Sequence, residues 1–442
     1  MLFTLPLSLL AAVPFVSAAP FCTLAKNSLA PVSSATNTSG SGSSPSDLVA
    51  SSWYAGWNAA DFPPSNISWS KYSSVAYAFA LTTPDSSVSL ASSDEQLLPQ
   101  FVSLAHQNNV KAILTIGGWT GSAYFSSSVA TAQNRTGFVN AVMQVVSKYD
   151  LDGIDFDWEY PNKAGAGCNT MSADDSANFL SMLQELRSQP GGSNITVSAA
   201  TSITPWAGQD GNLMTDVSGF AKVLDYIEIM NYDVWGSWST GVGPNSPLND
   251  TCAPAAQQQG FAVSAVKSWS AAGMPASQIV LGVASYGHSF SVASSAAQAS
   301  GNQSLAAYPA FDKSAQPDGD AWSGDATFVP GTLDQCGNPT TKSGIFDFWG
   351  MVDGGFLTSN GSVASGIMSR YDECSQTPYV YNPQTQVMIS YDNAESFTAK
   401  GQFIESAGLA GFAMWETGGD YQDILLDAIT QGVGVQGSDD DC

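Results

Sequence analysis

The sequence predicts an α/β protein, a (β/α)8 TIM barrel with a small α+β insertion between its seventh and eighth strands. Eight apolar runs with strand character recur along the chain, and segments with helical periodicity separate several of them. The count and the near-uniform hydrophobicity of the runs favour a closed parallel barrel over an open, doubly wound sheet. The eight runs span residues 50–57, 74–81, 111–116, 153–158, 194–200, 226–232, 278–283 and 409–414.

Helices are expected in the gaps between these runs. Phe138, Val142 and Val146 follow a helical spacing before the fourth run, and Phe179 and Leu183 do so after it. No glycine-rich phosphate-binding motif follows a strand, so the pattern does not indicate a nucleotide site.

The gap between the seventh and eighth runs is far longer than one crossover helix needs. We therefore expect residues 289–386 to form an inserted subdomain. A strand over 386–391 and a helix over 394–407 would then return the chain to the barrel.

The two ends of the chain differ from its middle. Residues 1–18 are apolar or small and uncharged, and they end in the small-residue pattern that signal peptidase requires, so they predict a secretory signal. Residues 19–47 are expected to be a Ser/Thr-rich segment and linker, because few of their side chains can pack. We expect the barrel over 48–435, an acidic tail over 436–442, and an extracellular protein, free or associated with the cell wall.

The charge of the chain limits its partners. Its 13 basic and 38 acidic residues give a formal net charge of −25, which repels phosphate backbones and anionic lipid. Nucleic acid and membranes are therefore not expected as partners. A neutral substrate fits better, and 12 Trp, 15 Tyr and 21 Phe supply flat faces on which sugar rings can stack.

Six cysteines and seven N-x-S/T sequons agree with a secretory environment. The chain has no C-x-x-C pair and no histidine cluster, so no metal site and no cofactor are expected. Sequence alone does not fix the disulfide pairing. Our hypothesis joins Cys168 to Cys252, because both follow barrel strands on one rim, and Cys336 to Cys374 within the insertion.

Acidic residues are concentrated in the fourth run, although only 12% of the chain is charged. Alternate side chains of a strand share a face, so Asp155, Asp157 and Glu159 project together while the intervening residues pack into the core. A solvated edge strand would not alternate its acids with Ile, Phe and Trp. Repulsion within a shielded site should hold at least one proton on this set near neutral pH, as a general acid requires. Asp152 has the opposite parity and is expected to be structural.

The spacing D-x-x-D-x-D-x-E in residues 152–159 closely resembles the signature of family 18 glycoside hydrolases, the chitinases and their relatives. The resemblance extends from about residue 48 to 432, and the local sequence is most similar to secreted fungal chitinases of class V type. In this family an α+β insertion walls one side of the substrate cleft, which implies a deep groove here.

Other strand ends carry the same resemblance. Residues 115–118 resemble the S-x-G-G motif with Thr115 in place of serine, residues 230–233 match M-x-Y-D, and the eighth run ends in a tryptophan that the family places under the reacting sugar. His288 stands where the family usually has arginine, and we leave open whether it contacts the sugar or only lines the rim. Whether Trp53 or Tyr54 faces the cavity is also left open. The resemblance implies that the substrate contacts Trp415, Trp119, Met230, Asp233, Phe79 and Gly118.

The resemblance implies a retaining hydrolysis in which the 2-acetamido group of the substrate acts as nucleophile. Glu159 would be the acid and then the base, Asp157 would stabilise the oxazolinium ion, Asp155 would share a proton with Asp157, and Tyr232 would orient the acetamido carbonyl. The expected substrates are chitin and chitooligosaccharides, and the expected state is a monomer. The alternatives are a chitin-binding lectin, an endo-β-N-acetylglucosaminidase and a structural wall protein on the same barrel.

Overall fold

The computed structural model describes residues 24–25, 48–298, 304–434 and 436–437. The predicted signal sequence, nearly all of the linker, and Cys22 and Cys442 lie outside the described residues. The short segments Leu24–Ala25 and Gln436–Gly437 pair antiparallel with each other.

The core of the molecule is a closed parallel barrel, which confirms the predicted fold class. Each strand pairs with the next along the chain, and the first strand pairs with both the second and the eighth. Below, the strands are called the first to the eighth barrel strand. They are Val49–Ala55, Ser74–Thr82, Lys111–Gly117, Gly153–Asp157, Thr196–Thr201, Tyr226–Ile229, Ile279–Ala284 and Gly411–Trp415.

Helices surround the barrel, and none of those in the described residues is both long and apolar enough to cross a membrane. The one after the third strand begins after Thr131, whose side chain accepts a hydrogen bond from the Asn134 N–H, and it ends at Asp150 in a left-handed conformation. The longer helices are Ser92–Gln107, Ala132–Tyr149, Asp175–Ser188, Ala262–Ala271, Ala394–Ala407 and Ile424–Gly432. The shorter ones are Gly118–Gly121, Phe125–Val129, Ser218–Ala221, Ser294–Ala297 and Phe348–Asp353.

The side chains of the fourth strand alternate between the outer apolar layer and the barrel interior, as predicted. Ile154, Phe156 and Trp158 are buried in the apolar layer between the barrel and its helices, together with residues of the helices Ala132–Tyr149 and Asp175–Ser188. Asp152 lies outside the barrel, where it accepts hydrogen bonds from the Ala112 N–H and pairs with a histidine ring. The odd-numbered acids are therefore left to the barrel interior.

The insertion is a five-stranded antiparallel sheet packed above the rim of the seventh and eighth strands. It begins at Tyr286, directly after the seventh strand, because Tyr286–Ser291 leaves the barrel and pairs with two insertion strands. The helix Ala394–Ala407 then leads back to the eighth strand. In spatial order the sheet is Ile345–Asp347, Tyr286–Ser291, Val387–Ser390, Thr377–Asn382 and Met368–Asp372.

A hairpin of residues 326–342, called the arm below, extends from this insertion. Its two sides are joined by backbone hydrogen bonds from the Asp334 N–H to the Asn338 carbonyl and from the Thr340 N–H to the Thr332 carbonyl. None of its residues is buried.

The predicted disulfide pairing was wrong. Cys168 is bonded to Cys336, with their Cα atoms 5.2 Å apart, and Cys252 is bonded to Cys374, with Cα atoms 5.7 Å apart. Both bridges join a rim loop of the barrel to the insertion, because the insertion folds back over the rim and brings its own loops to the loops after the fourth and sixth strands. The hydrogen bond from the Leu248 N–H to the Ser375 carbonyl marks the second of these contacts.

Candidate active site

Asp155 lies inside the barrel, fully buried and held by three side chains. Thr115 Oγ1 donates to Asp155 Oδ2 at 3.0 Å, Trp53 Nε1 donates to the same oxygen at 3.3 Å, and Ser198 Oγ donates to Oδ1 at 2.9 Å. The threonine that replaces the serine of the resembled motif therefore makes a hydrogen bond to this carboxylate. With both oxygens occupied, Asp155 is fixed in place by its neighbours.

Asp157 is the next acid toward the mouth of the barrel, and its surroundings differ. It is buried, and its Oδ1 has no hydrogen-bond partner among the described residues. Burial, followed by the charges of Glu159 and Asp155, raises the pKa of Asp157 well above its ordinary range. This carboxyl is therefore a proton-holding group with one oxygen not engaged by the protein.

Glu159 lies just past the end of the fourth strand, with only 9% of its surface exposed. Its backbone N–H donates to Ser122 Oγ at 3.0 Å, which fixes the loop that carries it. Burial raises the pKa of Glu159 from 4.5 to about 7, a hydrogen bond with Tyr160 opposes this rise, and the charge of Asp233 adds to it. At neutral pH the carboxyl can both give and take a proton.

Glu228 is a fourth acid in the barrel interior. It is only 2% exposed. Burial, followed by the charge of Asp155 and a hydrogen bond with it, raises the pKa of Glu228 well above its ordinary range. Glu228 therefore favours its protonated form and can donate a hydrogen bond to Asp155.

Tyr232 reaches the same cavity from the end of the sixth strand. A Cβ atom on Gly282 would lie 3.0 Å from its ring, so the glycine of the neighbouring seventh strand makes room for it. Burial, followed by the charges of Asp157 and Asp233, raises the pKa of Tyr232 well above its ordinary range. The phenol keeps its proton and can act as a hydrogen-bond donor into the cavity.

Asp233 is more exposed and is held at the rim by two rings of the strand Tyr286–Ser291. The Tyr286 hydroxyl donates to Asp233 Oδ1 at 2.7 Å, and His288 Nε2 lies 2.7 Å from the same oxygen. Trp238, which is 58% exposed, meets the His288 ring edge to face at 5.4 Å between centroids. The structure thus places His288 against Asp233, with only 5% of its side chain exposed.

Aromatic rings form one wall and the floor of the cavity. Phe79 stacks on Trp415 with centroids 5.5 Å apart and an interplanar angle of 18°, and Trp57 stacks on Phe79 at 6.0 Å. Trp57 is 59% exposed, so its face is open to a ligand. Trp53 faces the barrel interior beside Trp415, whereas Tyr54 packs outside against Phe101, which resolves the parity of the first strand.

The remaining predicted residues lie around this wall. Gly118 has φ of +78°, and a Cβ atom there would lie 3.0 Å from the Phe79 ring, so a larger residue would displace that ring. Trp119 follows at the rim and is 55% exposed. Met230 packs in the interior cluster with Trp53 and Ala200. All ten predicted site residues therefore lie inside the barrel or at the carboxyl-terminal rim of its strands.

Four residues of the site had no role predicted from the sequence: Glu228, Trp57, Ser198 and Tyr286. Glu228 has the same parity as Met230 and Tyr232, and that parity could have identified it. Trp57 lies two residues past the end of the first strand, at the rim where barrel sites form, which is also a usable signal.

The acids and aromatic rings of this site fit acid-base chemistry on a sugar. Glu159 can protonate a leaving group, Asp157 can balance a developing positive charge, and the aromatic wall can hold an apolar sugar face. Among the described residues, no group of His, Cys, Asp and Glu side chains has an arrangement that could hold a metal ion.

The chain is similar to known proteins over most of its length. A family model described as Glycosyl hydrolases family 18 matches residues 51–420. The chain is 52% identical over 389 residues to a chitinase-like effector of Moniliophthora roreri, a match that covers 88% of this chain and 93% of that protein. It is 31% identical to Chitinase A1 of Niallia circulans over 71% of this chain and 41% of that protein. A crystal structure of a chitinase from Rhizomucor miehei superimposes with a TM-score of 0.76 and 32% identity, over 87% of this chain and 99% of that one.

Proposed function

The chain belongs to glycosyl hydrolase family 18, and from this premise we propose that it is a chitinase. It would hydrolyse the β-1,4 linkages between N-acetylglucosamine units of chitin and chitooligosaccharides with retention of configuration. The observation that carries the proposal is the pair Glu159 and Asp157 above the aromatic floor. Glu159 has a pKa of about 7, and Asp157 has an oxygen without a protein partner.

The first step would cleave the glycosidic bond with help from the substrate itself. Glu159 donates its proton to the glycosidic oxygen while the acetamido carbonyl oxygen of the sugar attacks the anomeric carbon. The leaving sugar departs as an alcohol, and an oxazolinium ion remains. In the second step Glu159 takes a proton from water, whose oxygen attacks the anomeric carbon and opens the ring.

The other residues would support the charges of these steps. Asp157 accepts a hydrogen bond from the acetamido N–H and stabilises the positive charge of the oxazolinium ion. Asp155 shares a proton with Asp157, so that Asp157 can carry its negative charge when the oxazolinium ion forms. Tyr232 donates to the acetamido carbonyl and keeps the attacking oxygen in position.

A second candidate function is binding of chitin fragments without hydrolysis. It is favoured by the 52% identity to a Moniliophthora roreri protein that is named a chitinase-like effector. Glu159 favours hydrolysis instead, because sugar binding alone does not require a buried acid with a pKa near neutrality.

We also propose that the protein acts outside the cell. The leader-like residues 1–18 support this, and so do the two disulfide bonds of the described part, since such bonds persist mainly in oxidising compartments. Amino-terminal sequencing of protein from a culture medium would test it, with the first residue expected near position 19.

The decisive experiment compares wild type with Glu159→Gln on chitooligosaccharides and follows the anomer of the fresh product by NMR. We expect a β-anomer from wild type and a loss of at least ~10²-fold in rate for the variant, the lower scale for removing a general acid-base group. The variant should still bind the sugar, which calorimetry can check. Binding without cleavage by a folded wild type would favour the lectin. Cleavage of N-glycan cores in preference to linear chitin would favour an endo-β-N-acetylglucosaminidase.

A further inference from the structure

The arm of residues 326–342 is rooted on one side of the barrel mouth. At its base the Asp325 carboxylate accepts hydrogen bonds from the backbone N–H groups of Gly319, Ser343 and Gly344. Just before the base, Trp322 packs against Gly418 in the loop after the eighth strand. The root of the arm is thus fixed at the rim of the eighth barrel strand.

The tip of the arm is fixed on the other side of the mouth. Cys336 is bonded to Cys168 in the loop after the fourth strand, and Gln335 Nε2 donates to the Thr120 carbonyl after the third strand at 3.1 Å. Among the hydrogen bonds of the described residues, this is the one that joins the arm to the barrel.

The fourth strand faces the eighth across a ring of eight strands, so the arm crosses the mouth from one side to the other. The ten residues from Asp325 to Gln335 can span at most about 33 Å when extended, which is enough for this crossing. A hairpin lying along the rim would bury alternate side chains against it. Because no residue from 326 to 342 is buried and most are exposed, the arm is not packed flat along the rim.

The site residues lie between the two anchors of the arm. Glu159 follows the strand at the tip of the arm, and Trp415 ends the strand at its root. Trp119 and Trp57 are 55% and 59% exposed, so the mouth of the barrel keeps open aromatic faces. A groove of this kind with a bridge over it has two open ends and a closed top.

We propose that the arm is a covalent roof that turns the groove into a tunnel, so that a chitin chain enters by threading one free end. This inference rests on the proposed function, because it names which form of the polymer the same site accepts. The preferred substrate is an unbranched chain with at least one unblocked end, and an internal stretch of a chain blocked at both ends is excluded. The Cys168–Cys336 bridge holds the roof shut.

The test measures binding in the Glu159→Gln background, so that no cleavage occurs. The probe is a chitin octasaccharide that carries biotin on a flexible spacer at one end or at both ends, saturated with streptavidin. With the bridge intact, the doubly blocked probe should associate at least about tenfold more slowly than the singly blocked probe. Adding Cys336→Ser and Gln335→Ala should release the tip and make the two rates equal.

Cys374→Ser is the matched control, since it removes the other bridge between rim and insertion but leaves the arm attached. It should keep the discrimination between the two probes. If the released arm impairs folding, replacement of residues 329–341 by Gly-Ser-Gly provides a second way to open the roof. Equal rates in the parent protein, or equal discrimination after the arm is removed, would overturn the tunnel while leaving the chitinase proposal standing. Failure of every unblocked oligosaccharide to bind would overturn both.

Discussion

Asp155 and Asp157 are two residues apart on one strand, face the same interior and are both buried, yet their environments are opposite. Three side chains donate hydrogen bonds to the two oxygens of Asp155, whereas Oδ1 of Asp157 has no protein partner in the described residues. Burying a carboxyl group without partners costs free energy. Such a group is retained where a ligand supplies the missing interaction. Asp155 is thus held rigidly by the protein, whereas Asp157 keeps one oxygen available to the substrate.

The strongest test of this comparison is the pair Asp157→Asn and Asp155→Asn. Asp157→Asn should lower kcat by about 10²-fold or more with little change in unfolding free energy, because it removes charge where the oxazolinium ion forms. Asp155→Asn should cost about 1–3 kcal/mol of unfolding free energy, since its amide group would oppose buried donors. Steady-state kinetics on chitotetraose and urea unfolding would measure the two effects. If the two variants lost activity and stability in equal proportion, the division between the two acids would be wrong.

The pH dependence of kcat/KM tests how Asp233 acts on Glu159 at the mouth of the barrel. Because burial and Asp233 raise the pKa of Glu159 to about 7, kcat/KM should fall as pH rises through about 7, where the acid loses its proton. Asp233→Asn removes a negative charge, stabilises ionised Glu159 and should move this limb to lower pH. A profile of kcat/KM from pH 4 to 9 for both proteins checks the shift. An unchanged limb in the variant would mean that Asp233 does not act on Glu159.

A smaller effect is expected when the hydrogen bond from Thr115 to Asp155 is removed. Thr115→Val keeps the shape but removes the hydroxyl that donates to Asp155, at a cost of about 1–2 kcal/mol in stability. Thr115→Ser keeps the hydroxyl and should lie close to wild type. Thermal unfolding of the three proteins separates loss of the hydrogen bond from loss of the methyl group.

The smallest effect is expected at the edge of the aromatic wall. Trp57→Ala should weaken binding of chitotetraose by about 0.5–1.5 kcal/mol, the range for one aromatic stacking contact, with stability almost unchanged because Trp57 is 59% exposed. Calorimetric titration in the Glu159→Gln background gives the number. Trp53→Ala is the contrast, because it removes a buried donor to Asp155 and should lower stability as well.

Local sequence patterns were sufficient to predict the barrel and most of the candidate site. They could not predict contacts between distant loops. The fourth strand shows why the first part works, since its alternation of acids with Ile154, Phe156 and Trp158 fixes which face is buried. The orientation of Trp53 and Tyr54 could not be predicted, because both are aromatic and both faces of the first strand are covered. Glu228 shares the parity of Met230 and Tyr232, which predicts that it faces the interior, but a single acid in an apolar strand forms no motif that indicates its role.

The disulfide pairing shows why contacts between distant loops could not be predicted. Cys168 and Cys252 follow strands on one rim, and this led to the wrong pairing. The true partners depend on how an insertion of about one hundred residues folds back over the barrel, and no short-range pattern encodes that path.

The two bridges also overlap along the chain, since 168–336 encloses 252 and 252–374 encloses 336. A single proteolytic cut anywhere between residues 169 and 373 therefore leaves two fragments that are still covalently joined. A protein nicked there would keep its mass on a non-reducing gel and would fall apart only when reduced. In surroundings rich in proteases, such a chain can lose backbone continuity in its exposed loops without losing any of its parts.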